Sequence, residues 1–197
     1  MASSSSPNSP GTKILLDVLT EFKDRVSIDG GSRILVTDAT IAKVVSDMVA
    51  DISTPYGPKF TIATAGPITS SGSSQESLGP LIAHESIADL QSKMDHFTHA
   101  LTDVSYADGK TAMEIMKWAK YALQPKGICV VVALKETEQG KFTERMQSQS
   151  KNRISNLSDI LEWAGFERGK IRGMERSAGD GKEAEVVLAM KWDQLTA

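Results

Sequence analysis

The sequence predicts a mixed α/β domain: a three-layer sandwich around a mostly parallel sheet that ends in an antiparallel hairpin. Short apolar runs alternate with amphipathic helical segments over most of the 197 residues, which favours strands joined by crossover helices. Residues 128–134 are apolar throughout, as expected for a strand covered on both faces of a sheet. Two strand-like segments flank the glycine-containing stretch 177–181, which predicts the closing hairpin.

Composition limits both the domain count and the partners. With 40% hydrophobic and 24% charged residues, the chain can bury one core. The Ser- and Pro-rich residues 1–11 are expected to form a disordered tail before a single domain over 12–197. The formal net charge of −3, with both signs interspersed, argues against a nucleic-acid partner. No segment approaches the roughly 18 apolar residues of a membrane span, so a membrane partner is not expected either.

The single cysteine, Cys129, lies inside the apolar run 128–134. It has no partner for an intrachain disulfide, and a free cysteine of this kind usually packs as a small hydrophobic side chain. This favours a reducing compartment. Together with the absence of a targeting segment, it leads us to expect a cytoplasmic protein.

The first half of the chain reads as a leading helix followed by two strand–helix units. Apolar residues at helical spacing (Ile14, Leu15, Val18, Leu19 and Phe22) predict a helix over 12–26. Gly30 and Gly31 end it, and an apolar strand follows over 33–36. A helix over 41–52 and a strand over 59–64 come next. The Ser- and Gly-rich residues 70–75 are expected to form a mobile loop.

The second half continues the alternation. We expect strands over 81–84 and 96–102, separated by a short helix or turn over 86–94. The clearest helical pattern runs from 111 to 123 and stops at Pro125 and Gly127. The apolar strand over 128–134 follows, and a short helix is predicted over 157–163. The predicted hairpin consists of residues 170–176 and 183–192.

Several of these segments carry a family resemblance. Phe97-Thr-His-Ala100, the helix 112–123 and Gln124-Pro-Lys-Gly127 before the apolar strand resemble the second half of the class I S-adenosylmethionine-dependent methyltransferase fold. The small-molecule methyltransferases of fungal secondary metabolism are the most similar in character. The resemblance implies a Rossmann-like sheet over roughly residues 30–192, with S-adenosylmethionine at the ends of the first strands.

The turn after the first strand departs from the pattern of that family. Family members usually end this strand in an acidic residue and follow it with a turn of the type G-x-G. Only glycine lets the backbone approach a ligand this closely. The corresponding residues here are Val36, Thr40 and Ala42. The turn therefore lacks both the acidic residue and the glycines.

The second and third strands lack the expected carboxylates as well. The acidic residue that binds the ribose hydroxyls in the family is replaced by Ala65. The aspartate that receives the adenine amino group is replaced by Ser86, with Glu85 and Asp89 as alternatives after a small shift. Each lost charged acceptor costs about 1.5–3 kcal/mol. We therefore expect no bound cofactor and no ordinary use of S-adenosylmethionine.

Polar residues nevertheless follow the strands of the predicted sheet, where ligands of open α/β sheets bind. The first hypothesis is that a small organic intermediate binds there. An acid–base pair would then promote isomerisation, dehydration or cyclisation without methyl transfer. The candidate catalytic residues are Asp38, Asp103, Tyr106, Lys135 and Glu136. The candidate ligand-binding residues are Thr37, Thr40, Ala65, Ser86 and Thr102.

Two alternatives stay open at this stage. One is a non-catalytic subunit that stabilises an active enzyme, and the other is a small-molecule methyltransferase with unusual cofactor contacts. Both a homodimer and a complex with a partner enzyme are compatible with the sequence. His96 and His99, three positions apart on a strand, point to opposite faces and cannot share one ion. We therefore expect no metal site.

Overall fold

The computed structural model describes residues 9–49, 59–64, 82–147, 154–177 and 181–192. Seven strands form the main sheet: β1 (Arg33–Val36), β2 (Lys59–Thr64), β3 (Ile82–Ser86), β4 (Phe97–Asp103), β5 (Leu123–Leu134), β8 (Ile171–Ser177) and β9 (Glu183–Met190). The short strands β6 (Glu136–Thr137) and β7 (Gly140–Lys141) pair separately. The helices are α1 (Pro10–Glu21), α2 (Lys23–Val26), α3 (Ala39–Met48), α4 (Gly109–Ala122), α5 (Phe142–Gln147) and α6 (Leu157–Trp163), with 3-10 turns at Ile87–Ser92 and Arg168–Lys170.

The strand order of the main sheet is β3-β2-β1-β4-β5-β9-β8. The first five strands of this order pair in parallel, whereas β9 is antiparallel to both β5 and β8. The mostly parallel sheet and its antiparallel hairpin are therefore confirmed. The second strand of the hairpin lies inside the sheet, and the first lies at the edge.

Side-chain alternation along the strands gives the sheet two buried faces. Ile34 and Val36 of β1 pack with Val130 of β5 against α1 and α3. Leu35 and Cys129 face the opposite way and pack against α4 and α6. Cys129 is fully buried, and burial raises the pKa of its thiol to about 12. The three layers and the apolar role of the cysteine follow the sequence prediction.

The N-terminal boundary of the fold differs from the predicted one. Ser9 is the N-cap of α1, its hydroxyl accepting a hydrogen bond from the Thr12 backbone N–H at 3.1 Å. Residues 9–11, assigned by sequence to a disordered tail, thus belong to the folded part of the chain. Residues 1–8 lie outside the described residues. The predicted helix over 12–26 is divided at Phe22, and Ser27 ends its second part in the left-handed region.

The region around β5 also differs from the prediction. Strand β5 begins at Leu123 rather than at 128. Its first part, residues 124–126, is irregular, and Lys126 has φ +66°. The register between β4 and β5 shifts at the same place. Strands β6 and β7 and helix α5 were not predicted. The loop predicted over 70–75 falls outside the described residues.

One buried histidine ties α2 to the sheet. His99 of β4 is 5% exposed, and its Nε2 hydrogen-bonds the carbonyl of Val26. A carbonyl only accepts, so Nε2 carries the hydrogen of the neutral ring. Nδ1 lies 2.8 Å from the Thr98 hydroxyl. Burial lowers the pKa of His99, although the Val26 carbonyl and Asp29 act in the opposite direction.

The pH dependence of stability is expected to reflect this burial. Below the ordinary histidine pKa of 6.5, the unfolded chain takes up a proton at position 99 that the folded chain resists. Stability is therefore lost as the pH falls. His99→Gln retains a donor to Val26 and removes this contribution. Urea denaturation between neutral pH and about pH 5 should show a shallower loss in His99→Gln. His96→Gln is the control, and an equal slope in His99→Gln and the wild type would contradict the prediction.

Candidate functional site

The carboxyl ends of β1 and β4 lie side by side and carry two hydroxyl groups on the α4 side of the sheet. Thr37 and Thr102 are hydrogen-bonded to each other, with their Oγ1 atoms 2.7 Å apart. Beneath them, Leu35, Ala100 and Trp118 line a cavity of about 20 Å³, which is room for about one water molecule. An organic ligand at this edge of the sheet must therefore lie above the hydroxyl pair.

Asp103 follows Thr102 on the other face of β4, and its pKa is shifted from the ordinary aspartate value. It is largely buried but partly accessible. Its Oδ1 accepts hydrogen bonds from the Ser105 backbone N–H, at 2.9 Å, and from the Ser105 hydroxyl. Burial raises the pKa of Asp103, and the nearby Asp38 carboxylate raises it further, whereas the bonds from Ser105 and Ser9 oppose this. The surroundings of Asp103 therefore favour its protonated form more than water does.

The first turn of α1 lies directly on this carboxyl group. A Cβ added at Gly11 would lie 2.0 Å from Asp103 Oδ2, so only glycine permits the contact. The Ser9 hydroxyl donates to the same Oδ2 at 3.5 Å. These contacts were not predicted, because residues 9–11 were assigned to the tail. The N-terminus of α1 therefore forms one wall of the site.

Asp38 and Thr40 occupy the turn between β1 and α3. Asp38 is the N-cap of α3, and its Oδ1 accepts from the Thr40 backbone N–H at 2.6 Å. The turn carries side chains at Asp38, Ala39 and Thr40, where a glycine turn would expose backbone. Asp38 and Thr40 remain half-exposed. The Asp38 carboxylate thus both caps a helix and faces the neighbourhood of Asp103.

Two interactions hold the turn that follows β4. The Ser105 hydroxyl accepts from the Leu134 backbone N–H at 2.9 Å. Arg145 of α5 donates to the carbonyls of Ser105 and Ala107 at 2.6 and 3.1 Å. Burial lowers the pKa of Arg145, and Tyr106 opposes this shift. Arg145 was missed because no sequence signal links α5 to this turn. Tyr106, between the two carbonyls that Arg145 bonds, is exposed.

Lys135 and Glu136 lie in a different place from the other candidates. Lys135 Nζ pairs with Glu175 of β8 at 2.7 Å and with Glu183 of β9 at 3.0 Å, and these two carboxylates raise the pKa of Lys135. Glu136 is exposed on β6. Both line a depression beside the hairpin. Lys135 and Glu136 therefore lie apart from Asp38 and Asp103, because the hairpin carboxylates hold Lys135 on their own side.

Of the ten predicted site residues, the structure places five at the carboxyl ends of β1 and β4: Thr37, Asp38, Thr40, Thr102 and Asp103. Tyr106 lies in the turn after β4 and is exposed. Ser86 ends β3, but its side chain is outside the described part, as is Ala65. Within the described ranges, no group of three or more His, Cys, Asp or Glu side chains could hold a metal ion. The helices described there fall short of what a bilayer crossing requires.

Comparisons with known proteins place the fold. No family model and no curated protein matches the sequence. The [4+2]-cyclase SpnF superposes with a TM-score of 0.60 and 16% identity, covering 93% of this chain and 81% of that one. The citrinin polyketide synthase CMeT domain superposes with a TM-score of 0.62 and 10% identity, covering 92% of this chain and 53% of that one. A putative sarcosine dimethylglycine methyltransferase from Galdieria sulphuraria superposes with a TM-score of 0.58 and 9% identity, covering 93% of this chain and 86% of that one.

These likenesses and the strand order together define the class of protein. The chain has the class I, S-adenosylmethionine-dependent methyltransferase-like fold, as the sequence resemblance implied. It spans about half the length of some of these structures, such as the citrinin domain at 53% and the CurJ carbon methyltransferase at 54%.

Proposed function

We propose that this methyltransferase-like domain binds a small organic molecule and promotes a proton-transfer step on it without methyl transfer. The observation that carries the proposal is the Asp103 carboxyl group. Burial and Asp38 raise its pKa, and it lies where ligands of open α/β sheets bind. A carboxyl group whose surroundings raise its pKa is a typical general acid.

The roles follow from the surroundings of each group. Asp103 acts as the general acid, since its environment favours the protonated form. Asp38, half-exposed on the turn, acts as the base. Protonation of a ligand carbonyl oxygen by Asp103 and removal of a proton from an adjacent carbon by Asp38 give an enol. With a β,γ-unsaturated ketone, delivery of the proton from Asp38 to the γ-carbon and return of the enol proton to Asp103 complete an isomerisation to the conjugated ketone. The same enol can also lead to loss of water or to ring closure.

The site favours an uncharged ligand with a carbonyl or hydroxyl group. The Asp38 carboxylate repels anions, and the hydroxyl groups of Thr37 and Thr102, 2.7 Å apart, offer hydrogen bonds to a ligand. The likeness to the cyclase SpnF, at 16% identity, supports a non-methylating step by analogy of fold. A small, oxygen-bearing organic molecule is therefore the substrate class that we propose.

We also propose that S-adenosylmethionine has no place in this reaction. The β1–α3 turn carries side chains, and its Asp38 carboxylate is engaged with the Thr40 backbone N–H, which argues against close backbone contact with the cofactor. Calorimetric titration should detect no binding of S-adenosylmethionine. Micromolar affinity would overturn the proposal in favour of a methyltransferase with unusual cofactor contacts.

The pH dependence of ligand binding tests the acid directly. The probes are uncharged cyclic ketones and lactones, followed by saturation-transfer NMR. A ligand that accepts a hydrogen bond from protonated Asp103 is expected to bind less tightly as the pH rises through the pKa of this carboxyl group. Binding to Asp103→Asn should not depend on pH over the same range, while the exposed Asp47→Asn control keeps the wild-type profile.

Two outcomes would contradict the proposed acid. One is the same pH profile in Asp103→Asn as in the wild type. The other is an absence of binding by every probe in a correctly folded protein. Absence of binding favours a non-catalytic subunit of another enzyme, the alternative that the sequence left open.

A further inference from the structure

The outer face of α4 carries an open groove that the proposed chemistry does not use. The helix buries Ala112, Met116, Ala119 and Ala122 against the sheet. Its opposite face, formed by Lys110, Met113, Glu114, Lys117, Trp118 and Tyr121, lines a groove of about 1150 Å³. Trp163 of α6 is 44% exposed in the same groove. Exposed aromatic side chains gathered in this way indicate an interaction surface.

The order of residues along this helix face is self-complementary. Two pairs share one midpoint, between positions 115 and 116: Lys110 with Tyr121, and Glu114 with Lys117. In two antiparallel helices related by a two-fold axis at that midpoint, each of these four residues faces its pair in the other copy. The pairs are then a cation with an aromatic ring, and a carboxylate with an ammonium group.

We propose that this face binds a second copy of the same chain and forms a two-fold dimer through antiparallel α4 helices. Each dimer contains two ion pairs between Glu114 of one copy and Lys117 of the other. Within the described part of the chain, neither of these side chains forms an ion pair with any other residue. Both charges are exposed and available to the second copy.

The charge pattern selects the second copy over an unrelated partner. A two-fold axis at any other position along α4 brings Glu114 opposite a residue other than Lys117. An axis at position 114 itself brings Glu114 of one copy opposite Glu114 of the other. Only the midpoint between 115 and 116 satisfies the Glu114–Lys117 and Lys110–Tyr121 pairs together. The aromatic side chains supply the buried area, and the charges fix the antiparallel register.

Charge reversal tests this arrangement without disturbing the core. Glu114→Lys places two lysines opposite each other at both contacts, and Lys117→Glu does the same with two glutamates. Each single variant is expected to raise the dimer dissociation constant by roughly 10- to 100-fold, as measured by sedimentation equilibrium. The double variant Glu114→Lys/Lys117→Glu restores opposite charges and should recover the wild-type constant.

Mixing the two single variants gives a matched control. The Glu114→Lys chain carries a lysine at both positions, and the Lys117→Glu chain carries a glutamate at both. Each contact of the mixed dimer therefore joins opposite charges, so mixed dimers are expected where each variant alone is monomeric. Unchanged circular dichroism melting confirms that the variants are folded. A monomeric wild type, a dimer insensitive to the single variants, or failure of both the double variant and the mixture to recover association would overturn the proposal.

Discussion

Replacing Gly127 with valine is expected to destabilise the domain by about 3 kcal/mol. Gly127 lies where β5 follows its irregular stretch. A Cβ added there would lie 2.8 Å from the carbonyl oxygen of Gln124 and 3.2 Å from that of Thr98. Both obstacles are backbone atoms, so they cannot rotate away, and relief requires β4 and β5 to separate. For a domain of this size, the melting temperature should fall by roughly 6–12 °C.

Gly169 provides a matched control for this substitution. It lies in the 3-10 turn Arg168–Lys170, and a Cβ added there meets nothing within 4 Å. Gly169→Ala should therefore change the free energy of unfolding by no more than about 0.5 kcal/mol. Urea denaturation of the variants measures both effects. Equal stability of Gly127→Val and the wild type would mean that β4 and β5 do not approach each other at this point.

Asp103→Asn is expected to stabilise the domain at neutral pH, in contrast to most changes at buried polar positions. The folded state raises the pKa of Asp103 above 3.8, so the folded chain binds this proton more tightly than the unfolded chain. The tighter proton binding therefore adds to the free energy of unfolding at low pH, and this contribution is lost as the pH rises through the folded-state pKa of Asp103. A pKa that is one unit higher in the folded than in the unfolded state corresponds to about 1.4 kcal/mol of free energy of unfolding.

Asparagine preserves the hydrogen bonds while removing the charge. Its Oδ1 accepts from Ser105 as the carboxylate does, and its amide group can donate to the Ser9 hydroxyl. Denaturation at a series of pH values should show a stability difference from the wild type that is small in acid and grows towards neutral pH. Asp47→Asn, on the exposed part of α3, should show no such growth. A constant difference at all pH values would contradict the raised pKa.

The elements that the sequence predicted best are those with local signals. Strands β1 and β2 and helix α6 have the predicted bounds. They are short apolar or amphipathic runs between residues that break secondary structure. Strand β5 was predicted too short, since Pro125 and Gly127 read locally as a stop. There, pairing with β4 and β9 outweighs local preference.

The candidate site was predictable only as far as chain topology determines it. The ends of β1 and β4 were expected to meet, and Asp38, Asp103 and the two threonines do lie there. The contact of Ser9 with Asp103 joins residues 94 positions apart, and the pairing of Lys135 with Glu175 joins residues 40 positions apart. Such contacts depend on how helices and hairpins pack on the sheet. Neither periodicity nor residue type reveals them.

The place of β9 between β5 and β8 has a consequence for biosynthesis. The ribosome makes β8 before β9, the strand with which it pairs, so β8 leaves the exit tunnel without its neighbour. Until β9 follows, the edge of β5 that β9 will cover also presents unpaired amide and carbonyl groups. Open edges of this kind are the usual starting points for aggregation. Stalled nascent chains from which residues up to 177–183 have left the exit tunnel are therefore expected to need chaperone protection more than those from which residue 190 has also emerged.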